Sequence, residues 1–548
     1  MPTRCKYHEI CGLNADADPQ AGLCILHSED PNKDKKEFEI KLEEHRKNGI
    51  DDYTYFVFPD KIFFNAITFK READFSGATF TKEASFFGAT FNKETNFNKT
   101  KFNKEANFGS TKFVKEANFR RSTFTKEANF RRATFTKEAD FRVATFTREA
   151  YFIGNTFSEG ACFSGAKFTK EGTFSSTKFN KVADFRVAAF AEEAAFHGAT
   201  FTNDANFYKA KFTKEADFSR ATFTEEANFR ITKFTAEVNF HRTTFTKEAD
   251  FCDATFTDKA DFREATFIKG ANFRGTIFER AVDFRFSNLF GSTIFIGKKD
   301  TEENKTKYIF KDVNVEFRNV DITPADSVLF RDADLSHCLF QGTRVDKIEF
   351  TGVKWADIRS KFGQPRTGLY DEKILLENVK SKKKYKGEKD DLNWEHIERV
   401  YRDLKKNHEE NRDYERAGDF NYGEKEMRRK NPNTPTFHRV LLNFYLILSG
   451  YGERYLRPLG WSAAIFVACT IGYIVFGIAP ENGEPLGVAN TECWIKAALY
   501  SLQVMTLLRP IELQPTSLLS YSLKVVQSIT APIILGLFVL ALRQRLRR

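Results

Sequence analysis

The sequence predicts a solenoid of short β-strands joined to an α-helical membrane end. Two patterns carry this. Phenylalanine recurs from Phe64 to Phe284 at alternating steps of five and six residues, and two uncharged apolar stretches, Trp461–Ile478 and Val525–Leu542, lie near the C-terminus. Composition agrees: 61 phenylalanines stand against 14 prolines and 4 tryptophans in 548 residues, as if one structural slot were filled again and again. A chain of this length exceeds one hydrophobic core, so a modular organisation is expected.

Residues 1–30 form the first module. The stretch "CKYHEICGLNADADPQAGLCILHS" places Cys5, His8, Cys11, Cys24 and His27 in a polar segment with almost no apolar core of its own. Thiolate and imidazole are the ligands a structural zinc prefers, and a metal folds a segment of this kind. Cys5, Cys24, His27 and one of Cys11 or His8 are the expected ligands; unliganded thiols are the alternative. The other five cysteines are scattered, which argues against a disulfide framework, and the opening residues lack the apolar run of a secretory signal. The bulk of the chain is therefore expected in the cytoplasm. Residues 31–59 read as a charged helix ending near Gly49, followed by a linker.

Residues 60–290 carry the repeat, as in "ATFTKEADFRVATFTREAYF" from Ala133. A small residue usually stands two positions before the phenylalanine, so Ala133 and Phe135, or Ala139 and Phe141, share one face of a short strand. Thr-Lys-Glu and Arg-Arg positions between them face water. An eleven-residue period also fits a helical supercoil. Steps of five and six, however, put successive phenylalanines on two stripes roughly 140° apart on a helix, so stacked coils fit better. Phe130, Phe135, Phe141 and Phe146 are then members of an internal ladder.

The units "ADFRV" (Ala139–Val143), "ANFRR" (Ala128–Arg132) and "ADFSR" (Ala216–Arg220) resemble the pentapeptide-repeat family, in its phenylalanine-rich branch. That resemblance implies a right-handed quadrilateral β-helix in which four units make one square turn, a rod that serves as a spacer or as a platform for a cytoplasmic protein partner. The departure is one additional residue in alternate units, such as Glu138. With two eleven-residue phrases per coil, about ten coils span about 50 Å. Strict five-residue steps from Phe330 through Leu335, Phe340, Val345 and Phe350 to Trp355 mark 291–365 as a continuation interrupted near 291–307. Some members of the family mimic DNA with a strongly acidic surface. Basic residues outnumber acidic ones across these repeats, so neither that mimicry nor a nucleic-acid partner is expected.

Residues 366–435 read as a charged helical linker, with Trp394, Ile397, Val400, Tyr401 and Leu404 as its buried stripe and His396 and His408 on its surface. The lysine-rich run 380–391 reads as a solvated loop. Residues 436–458, with "VLLNFYLIL" (Val440–Leu448), suit an interfacial helix.

Residues 459–548 form the membrane domain, a buried core hairpin being the alternative. Both apolar stretches reach the lower limit for a span. Arg454 and Arg457 precede the first, Arg543, Arg545, Arg547 and Arg548 follow the second, and the connection carries Glu481, Glu484, Glu492 and Glu512. The positive-inside bias places both ends in the cytoplasm, and a bacterial inner membrane is the expected location. Ile495–Leu508 is too short to cross and reads as a re-entrant helix. "LYSLQVMTLLRP" resembles the pore helix of two-transmembrane, tetrameric potassium-type channels, which implies a homotetramer with a filter region at Gln503, Thr506, Leu507, Leu508 and Arg509. Where that family carries Thr-Val-Gly-Tyr-Gly, this chain has Thr506-Leu507-Leu508-Arg509-Pro510, with no glycine. A ring of Arg509 would favour anions or meet head groups. The "GYG" at Gly450–Gly452 precedes the first span and is no filter. Pro532 and Gly536 are positions for a gate hinge or for close packing.

No catalytic constellation stands out. "GSTIFIGKK" (Gly291–Lys299) misses the spacing and the final hydroxyl of a phosphate loop, and Cys162 and Cys252 have no histidine partner nearby in sequence. The net charge of +10 arises from 85 basic and 75 acidic residues mixed along the chain, which suits a membrane surface as well as any polyanion. Two functions remain: a channel-like protein whose solenoid regulates ion flow, and a non-conducting membrane-anchored scaffold for protein–protein interaction.

Overall fold

The computed structural model describes residues 4–546 apart from 19–21, 301–304, 323–327, 360–364, 382–391, 481–482, 484, 487–489 and 509–512. The chain divides into two compact units, Met1–Ala356 and Asp357–Arg548.

The first unit is a parallel β-solenoid. Its strands are mostly two residues long, and as far as Thr293–Ile296 successive strands of a wall pair 22 residues apart, as in Val57↔Thr79, Ala117↔Ala139 and Phe124↔Phe146. Four parallel sheets of 11, 13, 12 and 13 strands form the walls. Within each strand the small residue and the phenylalanine flank one outward residue, so Ala139 and Phe141 are buried on either side of Asp140. Phe141 stacks on Phe119 and on Phe163, each at 4.8 Å, and meets Phe130 edge-on at 5.5 Å. Phe130, Phe135 and Phe146 occupy the same kind of position, all fully buried. Stacked pairs along the axis and edge-to-face pairs within a coil are the geometries aromatic quadrupoles favour.

The additional residue in alternate units is absorbed by two kinds of corner. After Phe141 the chain turns tightly: Ala144 N–H donates to Phe141 O at 3.1 Å, and Val143 adopts the left-handed conformation at φ +59°. After Phe135 and Phe146, the Thr-Lys-Glu and Thr-Arg-Glu segments make a wider bend with one more residue and no positive φ. The Asx position serves the tight corner, since Asp140 Oδ1 accepts Arg142 N–H at 2.9 Å and Asn129 Oδ1 accepts Arg131 N–H at 3.0 Å. Where threonine replaces the inner alanine, its buried hydroxyl is satisfied, as Thr100 Oγ1 donates to Phe75 O at 2.7 Å.

The interruption is later and smaller than 291–307. Thr293–Ile296 stays in its wall, paired with Val328–Arg331, and Phe295 stacks between Phe273 at 5.0 Å and Phe330 at 4.9 Å. Only then does an antiparallel hairpin, Lys298–Asp300 with Lys305–Lys307, leave the wall.

The second unit is mainly helical. The expected helical linker contains three helices: Tyr370–Lys380, Trp394–Glu410 and Tyr414–Lys430. Ile397, Val400, Tyr401 and Leu404 are buried as a stripe, whereas Trp394, at the first turn, is half-buried. His396 is exposed, but His408 is buried, because it faces the following helix against Phe420 and reaches Asp413 at 3.1 Å. Of the lysine-rich run, residues 382–391 lie outside the described residues. Helix Thr436–Ser449 exposes Phe437, Val440, Leu441, Phe444 and Ile447 along one stripe. The helices Leu456–Phe476 and Leu518–Leu546 are long and apolar enough to cross a membrane, and both pack on the shorter helix Thr491–Met505. A Cβ at Gly472 would lie 2.5 Å from Leu523 Cδ2, so the two long helices touch closely there. Ile478–Pro480 and Leu513–Pro515 pair as an antiparallel hairpin at their ends.

Candidate functional site

The N-terminal segment brings four ligand atoms together. Cys5 N–H donates to Leu13 O at 3.1 Å, closing a loop over the helical turn His8–Cys11 that carries Cys11; His27 N–H donates to Cys24 O at 3.1 Å, turning His27 back beside Cys24. The Sγ atoms of Cys5, Cys11 and Cys24 and a ring nitrogen of His27 lie within 4.8 Å of one another. Cys11 and Cys24 Sγ are 3.7 Å apart, and His27 Nδ1 is 3.6 Å from Cys5 Sγ and 3.2 Å from Cys24 Sγ. A tetrahedral ion with Zn–S of about 2.3 Å and Zn–N of about 2.0 Å requires ligand separations of about 3.5–3.8 Å. This set fits such an ion with little adjustment.

His8 is not in the set: its Nδ1 lies 2.8 Å from Leu13 O. Of Cys11 and His8, Cys11 is the one whose ligand atom joins the group. His27 Nε2 lies 3.1 Å from Thr54 O, and a carbonyl only accepts, so Nε2 carries the proton and Nδ1 turns its lone pair to the sulfurs. Without an ion the Cys24 thiol donates to Cys11, which pulls Cys11 down; that bond and burial push Cys24 up to about 12.

The same segment docks on the first coil. Leu26 O accepts Val57 N–H at 2.8 Å, Tyr7 stacks on Tyr55 at 4.8 Å, and the His27 ring meets Phe56 edge-on at 5.0 Å. Lys33 Nζ donates to Ile25 O, Ser28 O and Val57 O at 2.9, 2.9 and 2.6 Å, and burial brings it down to about 7.

In the membrane-type helices the focus is Gln527, which is fully buried. It accepts from Tyr473 Oη at 2.7 Å, and its Nε2 donates to Ser501 Oγ at 2.8 Å, so one amide ties three helices together. The expected filter region begins with a closed helix end. Leu507 N–H donates to Val504 O at 3.3 Å and Leu508 N–H to Gln503 O at 2.9 Å, with Leu507 left-handed at φ +59°. This is a Schellman stop with leucine where glycine is usual. Gln503 is half-buried, Thr506, Leu507 and Leu508 are exposed, and Arg509 lies outside the described residues. Pro532 is half-buried and Gly536 exposed, with open space around its Cα.

A buried ionic chain in the second unit was not legible in the sequence. Arg366 pairs with Glu372, whose Oε2 accepts Tyr401 Oη at 2.6 Å, and Lys430 lies 3.7 Å from Glu372 and 3.0 Å from Glu426. Glu426 also accepts Arg429 Nε at 2.9 Å and Tyr451 Oη at 2.7 Å. Tyr451 is the centre of the "GYG" dismissed as a filter. Its burial and its left-handed φ of +60° seat the phenol in this chain, directly before the first long helix.

No curated protein and no solved structure matches this chain significantly. The family model described as pentapeptide repeats (nine copies) matches residues 64–112, 86–134, 97–145 and 207–255, so those stretches of the solenoid are similar to pentapeptide repeats.

Proposed function

We propose that this protein is a membrane-anchored scaffold. Helices Leu456–Phe476 and Leu518–Leu546 span the inner membrane of a bacterium with both termini in the cytoplasm, and the solenoid presents its walls there to a protein partner. The observation that carries the reading is the contrast between the two units. The solenoid interior is filled by fully buried phenylalanines, whereas Val467, Ile471, Val475, Val526, Ile529, Ile533, Val539 and Leu540 point outward from the two long helices. Such apolar surface is stable against lipid and costly against water. A structural zinc on Cys5, Cys11, Cys24 and His27 belongs to this reading, supported by the ligand separations.

The second reading is a homotetrameric channel whose ion flow the solenoid regulates. It is favoured by the 15-residue helix Thr491–Met505 lodged against both long helices, as a pore helix would be. Its filter would comprise Gln503, Thr506, Leu507, Leu508 and Arg509, and its hinge Pro532 and Gly536.

Topology and conduction separate these outcomes. In intact cells a membrane-impermeant maleimide is expected to label Cys493, between the spans, while Cys162 and Cys252 react only after lysis. Cys493 protected together with them would remove the proposed topology. In planar bilayers the scaffold is silent; discrete currents whose selectivity changes in Arg509→Ala would establish the channel instead.

A further inference from the structure

A solenoid has two open ends, where unpaired strand edges and the cross-section of the core face water unless something covers them. At the N-terminal end the first coil is closed: Tyr53, Phe56 and Phe64 are fully buried, although no earlier coil precedes them. Two pieces provide the cover. One is the helix Lys35–Lys47, N-capped by Asp34, which lays Phe38, Leu42 and His45 inward; Phe38 meets Phe58 edge-on at 5.8 Å. The other is the thiol-cluster segment, residues 4–28.

These pieces differ in what holds them. The helix has a cap and an apolar stripe. Among its described residues the segment 4–28 buries little apolar surface apart from Cys5, Ala15, Cys24, Ile25 and Leu26, too little to order it alone. It nevertheless makes the contacts that finish the coil: Leu26 O on Val57 N–H, Tyr7 on Tyr55, and the His27 ring on Phe56. His27 joins the two roles in one ring, with Nδ1 toward the three sulfurs and Nε2 on Thr54 O.

We infer that a zinc ion held by Cys5, Cys11, Cys24 and His27 is the lock of the solenoid's N-terminal cap, so that metal loading decides whether the first coil is closed or open at its edge. This rests on the zinc reading above. The ion replaces the missing apolar core of the segment and fixes the His27 ring. Through Nε2 it clamps the backbone at Thr54, and the Leu26–Val57 bond follows. Loss of the ion releases residues 4–28, while the helix Lys35–Lys47 stays docked through its own packing. The strand Val57–Phe58 then has one uncovered flank, a template for adding another strand.

The test uses the full-length protein in detergent, with zinc counted by elemental analysis and backbone hydrogen exchange read by mass spectrometry. One zinc per chain is expected in the wild type and in His8→Ala, and less than half of that in Cys11→Ser. Stripping the wild type with a chelator is expected to speed exchange across residues 53–58 at least tenfold, with 139–152 unchanged, and added zinc restores the original rate. One bound zinc whose removal leaves exchange at 53–58 unchanged overturns the lock and spares the zinc reading. No bound zinc overturns both. Because the stripped and reloaded wild type is its own control, a Cys11→Ser variant that fails to fold leaves the inference just as exposed to refutation.

Discussion

Phe141→Ala is expected to lower the stability of the solenoid by about 3–5 kcal/mol, the range for truncating a buried phenylalanine. The ring is sandwiched between Phe119 and Phe163 at 4.8 Å on both sides and touched edge-on by Phe130, Phe135 and Phe152 at 5.5, 5.9 and 5.3 Å. Collapse into the gap is blocked, because the backbone ladder fixes the spacing: Phe141 N–H donates to Cys162 O at 2.7 Å and Phe119 N–H to Asp140 O at 2.7 Å. The lost contacts therefore remain as a cavity. Urea denaturation measures the loss, and hydrogen exchange should place the weakened segment in the coils holding residues 119–163. A loss below about 1 kcal/mol would mean that the stacked rings close the gap, contrary to a rigid ladder. Val143→Gly at the adjacent corner is the contrasting variant. Val143 is a β-branched residue at φ +59° and is half exposed, so glycine relieves strain there and stability should not fall.

Glu372→Ala is expected to cost the second unit about 3–5 kcal/mol, because it leaves the Arg366 guanidinium buried without its counter-charge. Arg366 and Glu372 are both almost wholly buried, and the carboxylate also accepts Tyr401 Oη at 2.6 Å. Burial alone would pull Arg366 down; the Glu372 charge beside it more than compensates and holds it above the ordinary arginine value. The double variant Arg366→Met with Glu372→Leu removes both charges and should recover most of the loss, since a buried pair contributes little net stability over apolar residues of similar volume. If the double variant were as unstable as the single one, the cost would lie in packing and not in the orphaned charge.

The other end of this ionic chain carries a pH dependence. Burial raises the Glu426 carboxyl, but the hydrogen bond from Arg429 and the charges of Lys430 and Arg429 outweigh it and hold the group at about 2. A depressed carboxyl contributes stability in full above its unfolded value near 4.5, and that contribution is lost as pH falls from there through about 2. Glu426→Gln should flatten the acid limb of a stability profile across that window, read from the near-ultraviolet tyrosine signal. An unchanged acid limb would place the titration elsewhere.

The corner chemistry shows why the fold was legible from the chain alone. Alternating steps of five and six, usually with a small residue two places before the phenylalanine, favour one arrangement that buries the rings of the ladder and pairs the short strands. In that arrangement Glu138 is simply the additional residue of the wider bend. The hairpin Lys298–Lys307 lies inside the interruption expected near 291–307, and its start was not legible because Phe295 still obeys the ladder while the local spacing changes around it. His408 was misread as a surface residue because its polarity outweighed its position four residues past Leu404 on the buried stripe, where it meets Phe420 of the next helix.

For the candidate sites the division is similar. Five donor residues were visible from residue type and spacing, yet His8 and Cys11 were indistinguishable until the turn at His8–Cys11 directed one side chain to the cluster and the other to Leu13 O. Gln527 is one of the few polar residues in its apolar run, but Ser501 and Tyr473, its partners, carry no signal along the chain. Tyr451 was hidden for the same reason.

By itself, then, the sequence determined the period of the solenoid, its phenylalanine interior, the apolar helices at its far end and the donor set at its start. These depend on periodicity and side-chain chemistry, which act between residues near one another or repeated at a constant interval. The tertiary structure alone decided which donors converge, where the His27 ring is anchored, and which charges are buried together from Arg366 to Tyr451. Each of those joins residues from segments without a common period, so only the packed chain brings them within hydrogen-bonding distance.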